Sequence, residues 1–144
     1  MKLVSACLLG IKCNYRAEGK AEAGLVAEFA QGGLFPVCPE ILGGLGCPRH
    51  AAEIVGGGGA EVLRGEAKVL DSDGEDLTSE FLKGAYAVLA IARSLGAEEA
   101  ILIEKSPSCG CGWIFDGSFS HRLIEGDGVT AALLKQHGIR VRVG

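Results

Sequence analysis

Three short apolar runs, Lys2–Ser5, Leu34–Val37 and Ala100–Ile103, each give way within a few residues to a cysteine set in a turn. Cys7 follows the first, Cys38 the second and Cys109 the third. Runs of this length, bounded by Gly, Pro and Ser, read as buried strands. Helical patterns lie between them. Leu25–Phe29 supplies one face of a short helix that stops near Gly32-Gly33. Asp76 caps a long helix reaching about Leu95, with Phe81, Ala85, Val88, Leu89, Ala92 and Leu95 at helical spacing and Gly96 as terminator. Val129–Gln136 forms a further helix ended by Gly138, and Ile139–Val143 alternates apolar and basic residues as an edge strand does. The recurring strand–helix–strand order predicts one α/β domain over residues 1–144, with a mostly parallel sheet flanked by helices. Glu61–Arg64 and Ala67–Leu70, on either side of Gly65-Glu66, predict a small β-hairpin insertion, while Ala51–Ile54 is ambiguous.

The functional consequence is geometric. In an open α/β sheet the carboxyl ends of the parallel strands share one edge, where ligands bind. Cys7, Cys38 and Cys109 therefore converge although they are distant in sequence. The chain has six cysteines, and nearly all lie in Gly/Pro-rich turns. Buried structural cysteines usually replace small hydrophobes inside an element, whereas thiolates that hold a metal or attack a substrate converge from loop ends. The spacings Cys7–Cys13 and Cys109–Cys111 do not give the C-x₂₋₄-C pairs of tetrahedral zinc or a ferredoxin run. Three separately delivered thiolates suit an iron–sulfur cluster with one iron left open as a Lewis acid.

Composition narrows the partners. The net charge is −4 and no basic stripe is present, which argues against a binder of nucleic-acid polymers and leaves room for a free base or another small ligand. Hydrophobic residues make up 48% of the chain, enough for a real core at this length. No run approaches the ~18 apolar residues of a membrane span. Val4-Ser5-Ala6-Cys7 mimics a lipoprotein cleavage box, but the few residues before the cysteine cannot hold an apolar stretch of about 7–15 residues. The expected location is cytoplasmic, where cysteines serve more often as ligands or catalysts than as disulfides. Charge on the edge strand Arg140–Val143 favours neither monomer nor dimer.

Several motifs occur in one order: Ser5-Ala6-Cys7-Leu8-Leu9-Gly10, Cys13-Asn14-Tyr15, Pro36-Val37-Cys38-Pro39-Glu40, Gly43-Gly44-Leu45, Pro48-Arg49 and Lys105-Ser106-Pro107-Ser108-Cys109-Gly110. With Asp116-Gly117-Ser118-Phe119 and Gly126-Asp127-Gly128-Val129-Thr130, they closely resemble the thiouracil desulfidase family over essentially the whole chain. The resemblance implies a [4Fe–4S] cluster on three cysteines, matching Cys7, Cys38 and Cys109. It also implies removal of sulfur from a small thiolated heterocycle without net redox chemistry: sulfur binds the unique iron, water replaces it on carbon, and sulfide leaves. Arg16-Ala17-Glu18-Gly19 departs from the Arg-Tyr-Asp-Gly of many relatives, which bears on substrate identity more than on cluster binding. Cys47 and Cys111 match no family position. The competing reading is a zinc-binding or thiol redox protein.

Each candidate also has a plainer role. Glu40, beside Cys38, is a candidate general base, or a carboxylate that caps backbone amides or pairs with Arg49. Ser106 and Ser108 offer hydroxyls to cluster sulfur or substrate, or form a Ser-Pro turn. Lys105 stabilises developing negative charge or is solvated. Cys13 is a fourth ligand, a spare thiol or packing; Cys111 is near enough to Cys109 to compete for one iron; Cys47 is structural. His50, His121 and His137 show no ligand spacing. Gly56-Gly57-Gly58-Gly59 lacks the Lys-Ser/Thr of a phosphate loop and reads as a lid or a hairpin approach.

Overall fold

The computed structural model describes Met1 through Gly144. The chain runs β1 (Lys2–Ser5), α1 (Ala23–Ala30), β2 (Leu34–Val37), α2 (Pro39–Leu42), β3 (Ala52–Val55), α3 (Gly59–Leu63) and β4 (Lys68–Asp71). It continues through α4 (Thr78–Leu95), β5 (Glu99–Leu102), β6 (Trp113–Phe115), β7 (Leu123–Glu125), α5 (Val129–Gln136) and β8 (Arg140–Val143). A 3-10 turn over Ala6–Leu9 directly follows β1. The main sheet has the order β2-β1-β5-β8, with every pair parallel.

Alternation along the central strands explains why both faces are covered. Leu3, Ala100 and Leu102 point into the larger core with Phe81, Ala85, Val88 and Leu89 of α4 and Leu133 and Leu134 of α5. Val4 and Ile101 point the other way, onto Leu8, Leu25 of α1 and Leu34. Burying each large aliphatic side chain contributes roughly 1.5–3 kcal/mol. The helix ends follow local chemistry. The Glu22 carboxylate accepts from the amides of Gly24 and Leu25 at the start of α1, and Asp76 accepts from Thr78 N at 2.9 Å at the start of α4. Gly96 closes α4 at φ +63°, a left-handed conformation that costs glycine little.

The inserted hairpin exists, but not where the sequence pattern put it. Its strands are β3 and β4, paired antiparallel from Ala52↔Asp71 to Val55↔Lys68, and Glu61–Leu63, expected as a strand, belongs to α3. Tertiary packing decides this: a Cβ on Gly59 would collide with the carbonyl of Gly128, so only glycine lets α3 seat against the start of α5. Glu61 Oε1 accepts from Gly58 N at 3.0 Å, one half of a capping box. Gly56–Gly59 is thus a packed helix entry, not a lid. The pattern also missed a second antiparallel pair, β6 with β7.

One close approach fixes the segment that carries Glu40. The helix α2 lies on α4 so tightly that a Cβ at Gly84 would collide with the carbonyl oxygen of Pro39, and one at Gly43 with that of Glu80. In a helix interior Gly→Ala ordinarily gains up to about 1 kcal/mol. Here the obstacle is backbone and cannot rotate away, so overpacking of about 1–3 kcal/mol outweighs the gain. Gly84→Ala is expected to lower Tm in thermal unfolding; a raised Tm would mean that α2 yields easily.

Candidate functional site

The sheet order creates a switch point. From β1 the chain crosses to β2 on one side, then returns to place β5 on the other, and ligands in such sheets bind beyond the strand ends at that reversal. Cys7 lies in the 3-10 turn after β1, Cys38 joins β2 to α2, and Cys109 lies in the loop after β5. All three line one cavity of about 250 Å³, together with Glu40, Ser106 and Ser108. The convergence expected from topology is present. Cys7 and Cys109 are buried and Cys38 is half-buried.

The loop bearing Cys109 is held by the first turn of α5. The opening N–H groups of a helix have no partner within it. Here Val129 N donates to Pro107 O at 2.8 Å, while Thr130 N and Ala131 N donate to Ser108 O at 2.9 and 3.1 Å. Cys109 N donates to Ser106 Oγ at 2.7 Å. A Cβ on Gly128 would lie 2.5 Å from the Ser108 carbonyl carbon, so glycine permits the contact.

A polar chain runs along one wall. Ser108 Oγ donates to Glu40 Oε2 at 2.9 Å, stands 3.3 Å from Ser106 Oγ and lies 3.7 Å from Cys109 Sγ. The other carboxylate oxygen, Glu40 Oε1, receives Arg49 Nε and Nη2, each at 3.1 Å. Arg49 Nη1 donates to the carbonyls of Cys13 at 3.1 Å and Gly46 at 2.9 Å. The two side chains are 10% and 15% exposed, so the guanidinium compensates a carboxylate charge that burial would otherwise penalise. The pairing with Arg49 is present at one oxygen, while the other oxygen accepts from Ser108. Such a chain can accept a proton at Glu40 and pass it along hydroxyls.

Burial pushes the Cys109 thiol up to about 12, with the Ser5 and Ser108 hydroxyls pulling the other way. Cys38 rises above the usual thiol range through its hydrogen bond with Cys13 and through burial. At Cys13 the Cys38 contact lowers the value, but Cys7 and burial win and raise it to about 11. Cys13, Cys38 and Cys109 are thus biased toward the protonated thiol, and any metal they ligate would have to displace those protons. Cys13 packs with Cys7 and Cys38 on the same cavity, so it belongs to the site region instead of being mere filler elsewhere.

Cys111, although two residues from Cys109, turns away and lines a separate cavity with Trp113, Leu123 and Val143. It does not share the cavity that Cys109 lines. Cys47 is exposed, its sulfur 3.2 Å from the carbonyls of Lys12 and Asn14, consistent with a structural tie. Lys105 reaches the cavity lining. His50 pairs with Asp73 at 3.0 Å on the surface, and His137 meets Arg93. Sequence reasoning did not single out Ser5, whose buried Oγ accepts from Ile103 N at 2.9 Å, or the lining residues Phe115 and Glu53, and it set aside His121, which lines the same cavity. The aromatic and acidic residues come from segments whose pairing was invisible in the pattern.

The donor set is thiolate, the class that selects iron–sulfur clusters, zinc or Cu(I). No three His, Cys, Asp or Glu side chains close on one point where a single ion would sit. Cys7, Cys38 and Cys109, delivered to one cavity by three separate loops, are a donor set that fits an iron–sulfur cluster.

An α/β protein with thiols and an acid–base chain in one cavity at the carboxyl edge of its sheet is the class that fold and site define. The chain belongs to the 2-thiouracil desulfurase family, whose model matches residues 3–144. The uncharacterized protein YbbK of Bacillus subtilis (strain 168) is 48% identical over 141 residues, covering 98% of this chain and 93% of its own length. A solved structure of TudS, a [4Fe-4S]-dependent thiouracil desulfidase, superposes with a TM-score of 0.87 at 40% identity, covering 99% of this chain and 89% of that one.

Arg49 is the testable hinge of this geometry. Arg49→Ala leaves the half-buried Glu40 without its cation and frees the carbonyls of Cys13 and Gly46. A loss of about 1–3 kcal/mol is expected from stranding a half-buried partner, read as a lower midpoint in denaturant unfolding. A double variant that also carries Glu40→Gln should recover part of it.

Proposed function

We propose that this protein is a [4Fe–4S]-dependent desulfidase that replaces the exocyclic sulfur of a thiolated uracil or a related thio-heterocycle by oxygen. The observation that carries the reading is that Cys7, Cys38 and Cys109 share one cavity with the Ser106–Ser108–Glu40 chain. These three cysteines are the proposed ligands. A cluster on three thiolates supplies Lewis acidity toward a thiocarbonyl sulfur, which makes its carbon a better electrophile. Glu40 is the proposed base: its Oε2, already accepting from Ser108, takes a proton from the attacking water directly or through the Ser108 hydroxyl. Arg49 keeps the carboxylate oriented by occupying Oε1. The reaction balances as C=S plus water giving C=O plus hydrogen sulfide, with no electron donor consumed.

A cytoplasmic location completes the proposal, since reduced thiols are needed for ligation; no helix is long and apolar enough to cross a membrane. The rival zinc or thiol-redox reading predicts colourless protein after anaerobic purification. Reconstituted protein is instead expected to be brown, with about four irons per chain. Cys7→Ala, Cys38→Ala and Cys109→Ala should each lose most of the iron, whereas Cys47→Ala keeps it. Full iron in Cys38→Ala would remove that residue from the ligand set.

Glu40→Gln should retain the cluster and release sulfide from 4-thiouracil about 10²–10⁴-fold more slowly. Normal turnover by Glu40→Gln would move the base to another residue. A need for reductant in every cycle would end the hydrolytic reading.

A further inference from the structure

Besides the thiols and the proton relay, the cavity is lined by Phe115, at the end of β6, and His121, just before β7. Their rings meet edge to face, with centroids 5.9 Å apart and planes at 83°. The loop between them is anchored to β3. Glu53, 8% exposed, accepts from Gly117 N at 2.9 Å and Phe119 N at 3.2 Å, both through Oε1. Gly117 has φ +91° and lies so close to β3 that a Cβ would stand 2.6 Å from Ile54 O. Phe119 and His121 sit at φ +57° and +60°, a conformation non-glycine residues hold only when their surroundings impose it. A buried carboxylate satisfied by two amides, with no cation among its partners, costs desolvation energy that an idle loop does not require. Here it sets the position of two rings in the lining of the cavity that holds the thiols.

We propose that Phe115 and His121 form the subsite for the flat heteroaromatic ring of the substrate, and that Glu53 is the positioning residue that fixes this wall. The inference rests on the desulfidase reading. Aromatic edges and faces favour a planar ring over an aliphatic chain of equal size. The imidazole nitrogens of His121 can donate to a ring carbonyl or accept from a ring N–H. Binding the ring at this wall leaves the exocyclic sulfur to the thiol side of the cavity. The subsite thus selects cyclic thiobases over acyclic thioamides such as thiourea.

Two measurements test this. The first is sulfide release from 4-thiouracil and from thiourea by reconstituted protein. The second is equilibrium dialysis of uracil, which presents the same ring without reactive sulfur. His121→Ala and Phe115→Leu are each expected to raise KM for 4-thiouracil and Kd for uracil about five- to tenfold, the effect of one ordinary contact. Iron content should stay full and the response to thiourea flat. Glu53→Ala should move both constants in the same direction, and Glu53→Gln, which keeps the accepting oxygen, should return them toward wild type. KM and uracil Kd within twofold of wild type in both ring variants would overturn the subsite, as would loss of iron in His121→Ala. If iron-loaded wild type released no sulfide but uracil binding still weakened in these variants, the desulfidase reading would fail while the ring subsite stood.

Discussion

Three amides at the start of α5 hold the site together. A helix cannot satisfy its own first N–H groups, and in this fold those of Val129, Thr130 and Ala131 close on the carbonyls of Pro107 and Ser108. This contact turns a loop, usually the least constrained part of an α/β unit, into a fixed support. Cys109 and Ser108 inherit their positions from it. Because α5 is itself buried against α4 through Leu133 and Leu134, the loop is as firmly placed as the core.

The adjoining stretch of that wall, where Glu40 meets Ser108, depends on a different device. There α2 is drawn onto α4 by the absence of side chains at Gly43 and Gly84, and Glu40 is carried in with it. The half-buried Arg49 then ties that carboxylate to the backbone of the Cys13 segment. A steric fit and an ion pair therefore meet at one residue. The steric part sets where Glu40 lies, and the ion pair sets which way its carboxylate faces.

Much of this was legible in the sequence, for physical reasons. The strands β1, β2 and β5 are buried on both faces, so they announce themselves as unbroken apolar runs, and the glycine and aspartate that bound α4 act through local geometry alone. Parallel topology then required Cys7, Cys38 and Cys109 to meet. The errors fall where tertiary contacts override local pattern. Gly65-Glu66 carries a turn signal, and Gly65 does turn at φ +79°, but the preceding residues become helix because Gly59 fits against Gly128. Strands of three residues, such as Trp113–Phe115 and Leu123–Glu125, are too short to show a period. His121 and Glu53 were therefore invisible as neighbours of the site, and Cys111 seemed close to Cys109 only because sequence distance hides the turn between them.

The three candidate ligand thiols ride on three different strands, and this ordering has a consequence for the chain as it is made. Synthesis proceeds from the N-terminus, and domains generally fold as units. Cys7 and Cys38 emerge early, on strands that can pair directly, since β1 and β2 are neighbours. The third thiol arrives only after the long α4 has returned the chain to the far side of β1, and its loop is not clamped until the residues of α5 have followed. One direct strand pairing suffices to bring the first two thiols together, whereas the trio also needs the α4 crossover and the α5 clamp. The cavity lined by the three thiols is thus a property of the completed fold, since no single segment of the chain can form it alone.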